Sequence, residues 1–141
     1  MTKNLVLVVD DMEDNRVVFT AALMHHGYDV LSASNGAEAI EQAMAHTPDL
    51  VLMDLRMPVL DGIRATERLK AHPVTASIPV IALTAHDHEA DELRGVGFCA
   101  YVKKPVKPRQ LVAMVERCIR EAAAGAAWVE LEPGAEPPLL A

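Results

Sequence analysis

Acidic residues that directly follow short apolar runs are the residues of this sequence best placed to do chemistry. Asp10 and Asp11 follow the run LVLVV, and Asp54 follows the run LVLM. Clustered carboxylates repel one another unless a cation lies among them. Oxygen ligands without histidine or cysteine favour Mg²⁺, which keeps several waters and shares its remaining positions with phosphate. An ionised carboxylate such as Asp54 can also attack a phosphoryl group without a general base, forming an aspartyl phosphate.

Two further polar residues follow apolar runs later in the chain. Thr84 ends the segment IPVIALT, and Lys104 follows AYVK. The ammonium of Lys104, together with Mg²⁺, would neutralise the equatorial oxygens of a phosphoryl group during transfer. The hydroxyl of Thr84 could donate a hydrogen bond to the phosphate once it has been transferred.

The elements that position these residues are five apolar runs separated by segments of helical periodicity. Strands that are apolar throughout are typical of a parallel sheet covered by helices on both faces, which predicts an α/β fold. In such sheets, ligands bind beyond the carboxyl ends of the strands, so the acids, the hydroxyl and the ammonium are expected at one edge. The predicted strands are Leu5–Val9, Tyr28–Ala33, Leu50–Met53, Pro79–Leu83 and Ala100–Val102.

Taken together, the segments VVDDMEDNR, DLVLMDLRMPVLDG, IPVIALTA and AYVKKP resemble the receiver domain of bacterial two-component response regulators. The resemblance covers roughly residues 4–122, in the order and with the spacing of that family. It implies a flavodoxin-like, doubly wound (βα)5 sandwich with a five-stranded parallel sheet in the order 2-1-3-4-5. It also implies a receiver domain over residues 1–124, of the single-domain type found in chemotaxis regulators.

The resemblance assigns a role to each acid. Asp54 would be the phosphoacceptor and a Mg²⁺ ligand. Asp11 would bind Mg²⁺ directly, Asp10 would bind it through water, and the backbone carbonyl of Arg56 would supply another ligand. Mn²⁺ is expected to substitute for Mg²⁺.

The resemblance also assigns the phosphate contacts and the switch residues. Lys104 and Thr84 would contact the phosphate, and Tyr101 would form the switch pair with Thr84. The peptide bond between Lys104 and Pro105 is expected to be cis. Arg56 and His86 lie two residues after Asp54 and Thr84, positions that flank the path of the attacking water in this family, so they are expected to tune the lifetime of the phosphoryl group.

The function implied is a phosphorylation-activated signalling switch rather than a turnover enzyme. A histidine kinase or histidine phosphotransfer protein would donate the phosphoryl group. The output would be binding of another protein through the surface of the fourth helix, fifth strand and fifth helix. One alternative is a receiver fragment of a longer regulator. Another is a magnesium-dependent phosphohydrolase of haloacid-dehalogenase type, although the Asp-x-Asp motif of that family is missing after the first strand.

Composition limits the remaining possibilities. A chain of 141 residues with 51% hydrophobic and 23% charged residues fits one globular domain. The net charge of -7 argues against nucleic-acid binding, and no apolar run approaches the length of a membrane span. Cys99 and Cys118 form neither metal spacing nor a disulfide framework, so we expect core thiols in a reducing cytoplasm. We expect a monomer or a weak dimer.

Some polar residues are better explained as structural. Asp61 is expected to cap the third helix, and Asp14 or Asn15 to cap the first. The segment 86–89 reads HDHE, but its predicted place at the start of the fourth helix argues against a metal site. Residues 125–141 are expected to form a flexible tail. The alternative is that Trp128, Val129 and Leu131 pack on the domain or on a partner.

Overall fold

A computed structural model of the protein describes residues 3–131. Strands and helices alternate along this part of the chain. In order they are β1 (Leu5–Val9), α1 (Glu13–His25), β2 (Asp29–Ala33), α2 (Gly36–His46), β3 (Leu50–Asp54), α3 (Gly62–Ala71), β4 (Val80–Thr84), α4 (Ala90–Val96), β5 (Ala100–Lys103) and α5 (Pro108–Ala123).

The five strands form one parallel sheet in the order β2-β1-β3-β4-β5, which confirms the predicted fold. β3 and β4 are buried along their whole length, as strands covered on both faces must be. Because successive side chains point to opposite faces, each strand contributes to two cores. Val6 and Val8 pack with α1 and α5, whereas Leu7 and Val9 pack with α2, α3 and α4.

The ends of the helices differ in part from the prediction. The Oδ1 atom of Asp61 accepts a hydrogen bond from the N–H of Arg64 at 2.8 Å, so Asp61 caps α3 as predicted. The prediction that Asp14 or Asn15 caps α1 is wrong. The helix begins at Glu13 with Met12 at the N-cap, and no side chain caps it there. The side chain of Asn15 instead has a partner outside the helix.

Gly62 allows α3 to begin directly beside the end of β3. A β-carbon at this position would collide with the backbone carbonyl of Asp54, and it would crowd the Cα atom of Leu55 and the side chain of Met53. The N–H of Gly62 donates to the carbonyl of Leu55 at 3.1 Å. The close approach fixes the loop that follows Asp54, so only glycine fits here.

Residues 126–131, which we call the C-terminal strap, return across the domain after α5. Val129 is 2% exposed, lies in the core shared with α5, and donates its backbone N–H to the carbonyl of Cys99 at 2.7 Å. Trp128 and Leu131 pack against the two cores. The structure of the strap therefore agrees with the alternative prediction that these apolar side chains pack on the domain. The side chains leave water when they pack, which stabilises the strap. The predicted flexible tail also includes residues 132–141, which follow the strap and lie outside the described residues.

Both cysteines are buried and free of disulfides, as predicted for core thiols. Within residues 3–131, no helix combines the length and apolar character needed to cross a membrane.

Candidate functional site

Three carboxylates meet where β1 and β3 end. Asp10 follows β1, Asp11 comes next, and Asp54 is the last residue of β3. Because these two strands are parallel neighbours, their carboxyl ends share one edge of the sheet. One carboxylate oxygen from each residue lies within 4.8 Å of the others. Asp10 and Asp54 are only 1% and 6% exposed, whereas Asp11 is open to solvent.

Asp54 is held by two groups of the chain. Its Oδ1 atom accepts a hydrogen bond from the N–H of Arg56 at 3.3 Å and lies 3.6 Å from the Nζ atom of Lys104. Burial raises the pKa of Asp54 to about 6, while the Lys104 ammonium opposes that rise and the carboxylate of Asp10 adds to it. A positive charge among the three acids would therefore lower the pKa of Asp54 and favour its ionised, nucleophilic form.

Lys104 reaches the acids from the end of β5. Its Nζ atom donates to Oδ2 of Asp10 at 3.0 Å, closer than it lies to Asp54. Its backbone N–H donates to the carbonyl of Thr84 at 2.7 Å, and the peptide bond between Lys104 and Pro105 is cis, as the resemblance implied. The ammonium is thus placed between two buried carboxylates.

Asp10 is fixed by the N-cap residue of α1 and by two residues of its first turn, for which the sequence did not predict a role in the site. Oδ1 accepts the N–H of Met12 at 3.0 Å, and Oδ2 accepts the Nδ2 amide of Asn15 at 3.1 Å. The Nη1 atom of Arg16 donates to the backbone carbonyl of Asp10 at 2.7 Å. The available signal was the position of Asn15 and Arg16 in the first turn of the helix that follows the acidic pair.

The donor set fits a magnesium ion. Three carboxylates offer hard oxygen ligands within a small volume, and the exposed Asp11 leaves the site open to water and to phosphate. Both oxygens of Asp10 already accept hydrogen bonds, an arrangement that suits a ligand acting through water. The role predicted for the carbonyl of Arg56 stays a prediction.

Thr84 and Tyr101 are joined through His86. Thr84 is buried at the end of β4, and its Oγ1 atom accepts the N–H of His86 at 3.1 Å. The hydroxyl of Tyr101 donates to the carbonyl of the same His86 at 2.8 Å. The side chains of Arg56 and His86 are exposed at the rim of the site.

The segment 86–89 lies in the loop before α4, with Glu89 at its N-cap, so three of its four residues precede the helix rather than begin it. Asp87 in this loop forms an ion pair with Lys103, with Nζ and Oδ1 2.8 Å apart. This contact lowers the pKa of Asp87 and raises the pKa of Lys103. Across the described residues, a group of side chains close enough to hold a metal occurs at Asp10, Asp11 and Asp54.

Comparison with known proteins agrees with this geometry. Residues 6–116 match the family described as the response regulator receiver domain. The chain is 39% identical over 112 residues to the protein PilH of Pseudomonas aeruginosa, covering 78% of this chain and 93% of PilH. It is also 35% identical over 136 residues to the phosphate regulon transcriptional regulatory protein PhoB of the same species. That match covers 95% of this chain but 59% of PhoB, so the chain spans little more than half of that relative's length.

A solved structure of similar fold carries the ion that the acids suggest. It is the receiver domain of a sensor histidine kinase from Pseudomonas aeruginosa PAO1, with a magnesium ion coordinated in its active site cleft. The TM-score is 0.76 at 34% sequence identity, and the match covers 84% of this chain and 99% of that one.

The sheet order and the acidic edge define a doubly wound α/β domain with a cluster of carboxylates that could hold a cation at the carboxyl ends of its strands. The chain belongs to the response regulator receiver domain family. Proteins of this family are phosphorylation-activated switches of two-component signalling, and they bind Mg²⁺ at a cluster of acidic residues.

Proposed function

We propose that this protein accepts a phosphoryl group on Asp54 from a histidine kinase or a histidine phosphotransfer protein. The observation that carries the proposal is the convergence of Asp54 with Asp10, Asp11 and the Lys104 ammonium at one edge of the sheet. A structural carboxylate would not need two further acids beside it. The proposal is also supported by the family, whose members are phosphorylation-activated switches.

The chemistry at Asp54 is a direct displacement. A carboxylate oxygen forms a bond to phosphorus, the bond from phosphorus to the donor's imidazole nitrogen breaks, and the imidazole leaves with that electron pair and takes up a proton from water. The N–H of Arg56 fixes the Oδ1 atom at 3.3 Å, which orients the carboxylate for attack. Because the carboxylate is already ionised near neutral pH, Asp54 needs no general base.

Two other residues would stabilise the transferred group. The Lys104 ammonium, 3.6 Å from Asp54, would turn towards the phosphoryl oxygens, and Thr84 would donate its hydroxyl hydrogen to one of them. When bound, Mg²⁺ supplies positive charge that offsets the phosphoryl oxygens. Its proposed ligands are the carboxylates of Asp11 and Asp54, the carbonyl of Arg56 and, through water, Asp10; Mn²⁺ is proposed as a substitute.

The output follows from the link between Thr84 and Tyr101. Movement of Thr84 towards the phosphate would disturb the His86 backbone, which both side chains contact. Tyr101 would then change its position on the surface formed by α4, β5 and α5. We propose that a protein partner binds this surface, and that neither nucleic acid nor membrane is a target. We further propose a cytoplasmic monomer or weak dimer without turnover of an external substrate.

Labelling with a small phosphodonor tests the proposal. Acetyl phosphate and Mg²⁺ should label the protein once per chain, and Asp54→Asn should abolish the label. Asp29→Asn is the matched control, since Asp29 is an exposed acid at the start of β2, at the opposite edge of the sheet. Persistent labelling of Asp54→Asn would place the nucleophile elsewhere. Turnover of many unrelated phosphate esters would favour the phosphohydrolase instead.

The same site would also serve a receiver that is one part of a longer regulator. PhoB is considerably longer than the region that matches this chain, which supports the alternative of a longer regulator. The test is to compare phosphotransfer and partner capture by this chain with those of any longer product made from the same gene.

A further inference from the structure

The carboxylate of Asp10 has two side-chain partners on a single oxygen. Oδ2 accepts hydrogen bonds from the Nδ2 amide of Asn15 at 3.1 Å and from the Nζ ammonium of Lys104 at 3.0 Å. Asp10 is 1% exposed, so water cannot readily replace either donor. A buried carboxylate that loses a hydrogen bond is strongly disfavoured.

The ammonium of Lys104 lies near two carboxylates, and it cannot bind both equally well. Its ammonium lies 3.0 Å from Asp10 but 3.6 Å from Asp54, so in this structure Asp10 is the nearer partner. A phosphoryl group on Asp54 requires the ammonium to turn towards the new oxygens. That movement removes one of the two side-chain donors from Asp10.

Asp10 itself is unable to follow the lysine. Its backbone N–H donates to the carbonyl of Ala33 at 3.1 Å, and its own carbonyl accepts the Nη1 atom of Arg16 at 2.7 Å. Its Oδ1 atom is held by the N–H of Met12 at 3.0 Å. The backbone of Asp10 and its Oδ1 atom are thus held in place, and the Lys104 ammonium is the part that must move.

We propose that Asn15 is a positioning residue for phosphoryl transfer: its amide keeps Oδ2 of Asp10 satisfied while Lys104 moves to the phosphoryl group on Asp54. Asn15 acts through Lys104 and does not touch the reacting atoms. Its place in the first turn of α1 suits this role, because a short side chain on a rigid helix keeps its amide aimed at Asp10. The inference rests on the proposed phosphorylation of Asp54.

Removal of the amide should bind Lys104 more tightly to Asp10. In Asn15→Leu, which has a similar volume, and in Asn15→Ala, the ammonium becomes the remaining side-chain donor of Oδ2 among the contacts seen here. We expect the rate of Asp54 phosphorylation by acetyl phosphate at saturating Mg²⁺ to fall about tenfold in both variants. Asn15→Gln, which keeps an amide donor, should recover most of the rate. The matched control is Asp14→Asn, on the exposed side of the same helical turn, which should leave the rate unchanged.

A second background separates positioning from a general structural effect. With Lys104→Met as the parent, we expect slow phosphorylation, and Asn15→Leu should slow it by less than about twofold further, since no ammonium remains to be held back. An equal loss of rate in both backgrounds would overturn the proposal, as would an unchanged rate in both Asn15→Leu and Asn15→Ala.

A readout without phosphodonor tests the contact independently of the reaction. In the unphosphorylated protein, Asn15→Leu should slow the exchange of the Lys104 ammonium protons with water, measured by NMR, by about threefold or more. No change in that exchange would contradict the inference. If wild-type protein takes no label but the exchange slows as expected, the proposed function fails while the contact between Asn15, Asp10 and Lys104 stands.

Discussion

The hydroxyl of Tyr101 donates a hydrogen bond of 2.8 Å to the backbone carbonyl of His86. The N–H of the same His86 is bound to the hydroxyl oxygen of Thr84 at 3.1 Å. One residue of the loop before α4 therefore connects a buried hydroxyl near the acids with a tyrosine at the edge of the sheet.

Loss of the Tyr101 hydroxyl should loosen this loop. In Tyr101→Phe the ring can stay while one hydrogen bond disappears, which is worth about 1 kcal/mol, or roughly fivefold in local opening. Hydrogen exchange of the amides at 85–89 should therefore speed up by about that factor. Tyr28→Phe, at a buried tyrosine after α1, is the control and should leave the loop unchanged. Equal exchange in Tyr101→Phe and wild type would mean that the bond does not hold the loop.

The rim residues Arg56 and His86 should set the lifetime of the phosphoryl group. Both side chains are exposed beside the site, and we expect them to limit the approach of water to Asp54. We expect Arg56→Ala and His86→Ala each to speed dephosphorylation, by about three- to tenfold. The measurement is the decay of label after removal of the phosphodonor. Arg64→Ala, at an exposed position of α3, should decay like wild type, and the same rate in all variants would refute this role.

Lys104 should affect Mg²⁺ binding and phosphorylation in opposite directions. Its ammonium lies 3.0 Å from Asp10 and 3.6 Å from Asp54, and it repels a cation bound there. We expect Lys104→Met to bind Mg²⁺ about five- to tenfold more tightly by calorimetry, while labelling of Asp54 becomes at least about a hundredfold slower. Lys103→Met is the matched control, because the adjacent lysine pairs with the exposed Asp87 instead. Weaker Mg²⁺ binding by Lys104→Met would show that the ammonium supports the cation site.

The buried carboxylate of Asp54 should make the stability of the metal-free protein depend on pH. Burial raises its pKa from 3.8 to about 6, so the folded state disfavours the ionised form. The cost is absent below pH 3.8 and is fully present once the pH has risen past about 6. In EDTA at pH 7.5 we expect Asp54→Asn to be more stable than wild type by on the order of 2 kcal/mol.

This advantage of Asp54→Asn should shrink as the pH falls from 6 to 4, measured by urea denaturation of both proteins at each pH. Saturating Mg²⁺ should remove it at pH 7.5, because the cation stabilises the wild-type carboxylate. A difference in unfolding free energy that stays constant with pH would contradict the argument.

The strap should contribute to stability through Val129. This side chain is 2% exposed, so Val129→Ala should lower the free energy of unfolding by about 1–2 kcal/mol. Ala127→Ser, at an exposed position of the strap, should change it by less than about 0.5 kcal/mol. Indistinguishable stability of Val129→Ala and wild type would indicate that the strap is solvated rather than packed.

The sequence was sufficient for the fold because its periodicities report burial directly. The first strand was predicted at its observed bounds, Leu5–Val9. Its start is where the apolar run begins, and its end is where two acids follow that run. The third and fourth strands each extend one residue further than predicted, through Asp54 and Thr84. Polar residues at a strand end read as loop in sequence, although their backbones still pair with the neighbouring strands.

The contacts within the site were less accessible to sequence reasoning. Lys104 and Asp10 are separated by 94 positions, and which of two nearby carboxylates the ammonium prefers depends on distances of a few tenths of an ångström. The turn of the Asn15 side chain towards Asp10 is equally invisible in a linear pattern, which suggested a helix cap instead. Composition likewise predicted a flexible tail over residues 125–141, because the three prolines and three glutamates of that segment outnumber the few apolar residues that dock.

The strap also places the protein's single tryptophan at a useful point. The Trp128 indole lies against the Arg94 guanidinium of α4, 4.9 Å from the ring centroid, and its Nε1 atom donates to Glu130 at 2.9 Å. The fluorescence of an indole depends on nearby charge and on contact with water. Excitation at about 295 nm selects tryptophan, so the emission comes from this one side chain. Fluorescence of the unmodified protein therefore reports the packing of the strap on α4, at a distance from the acids and without an added dye.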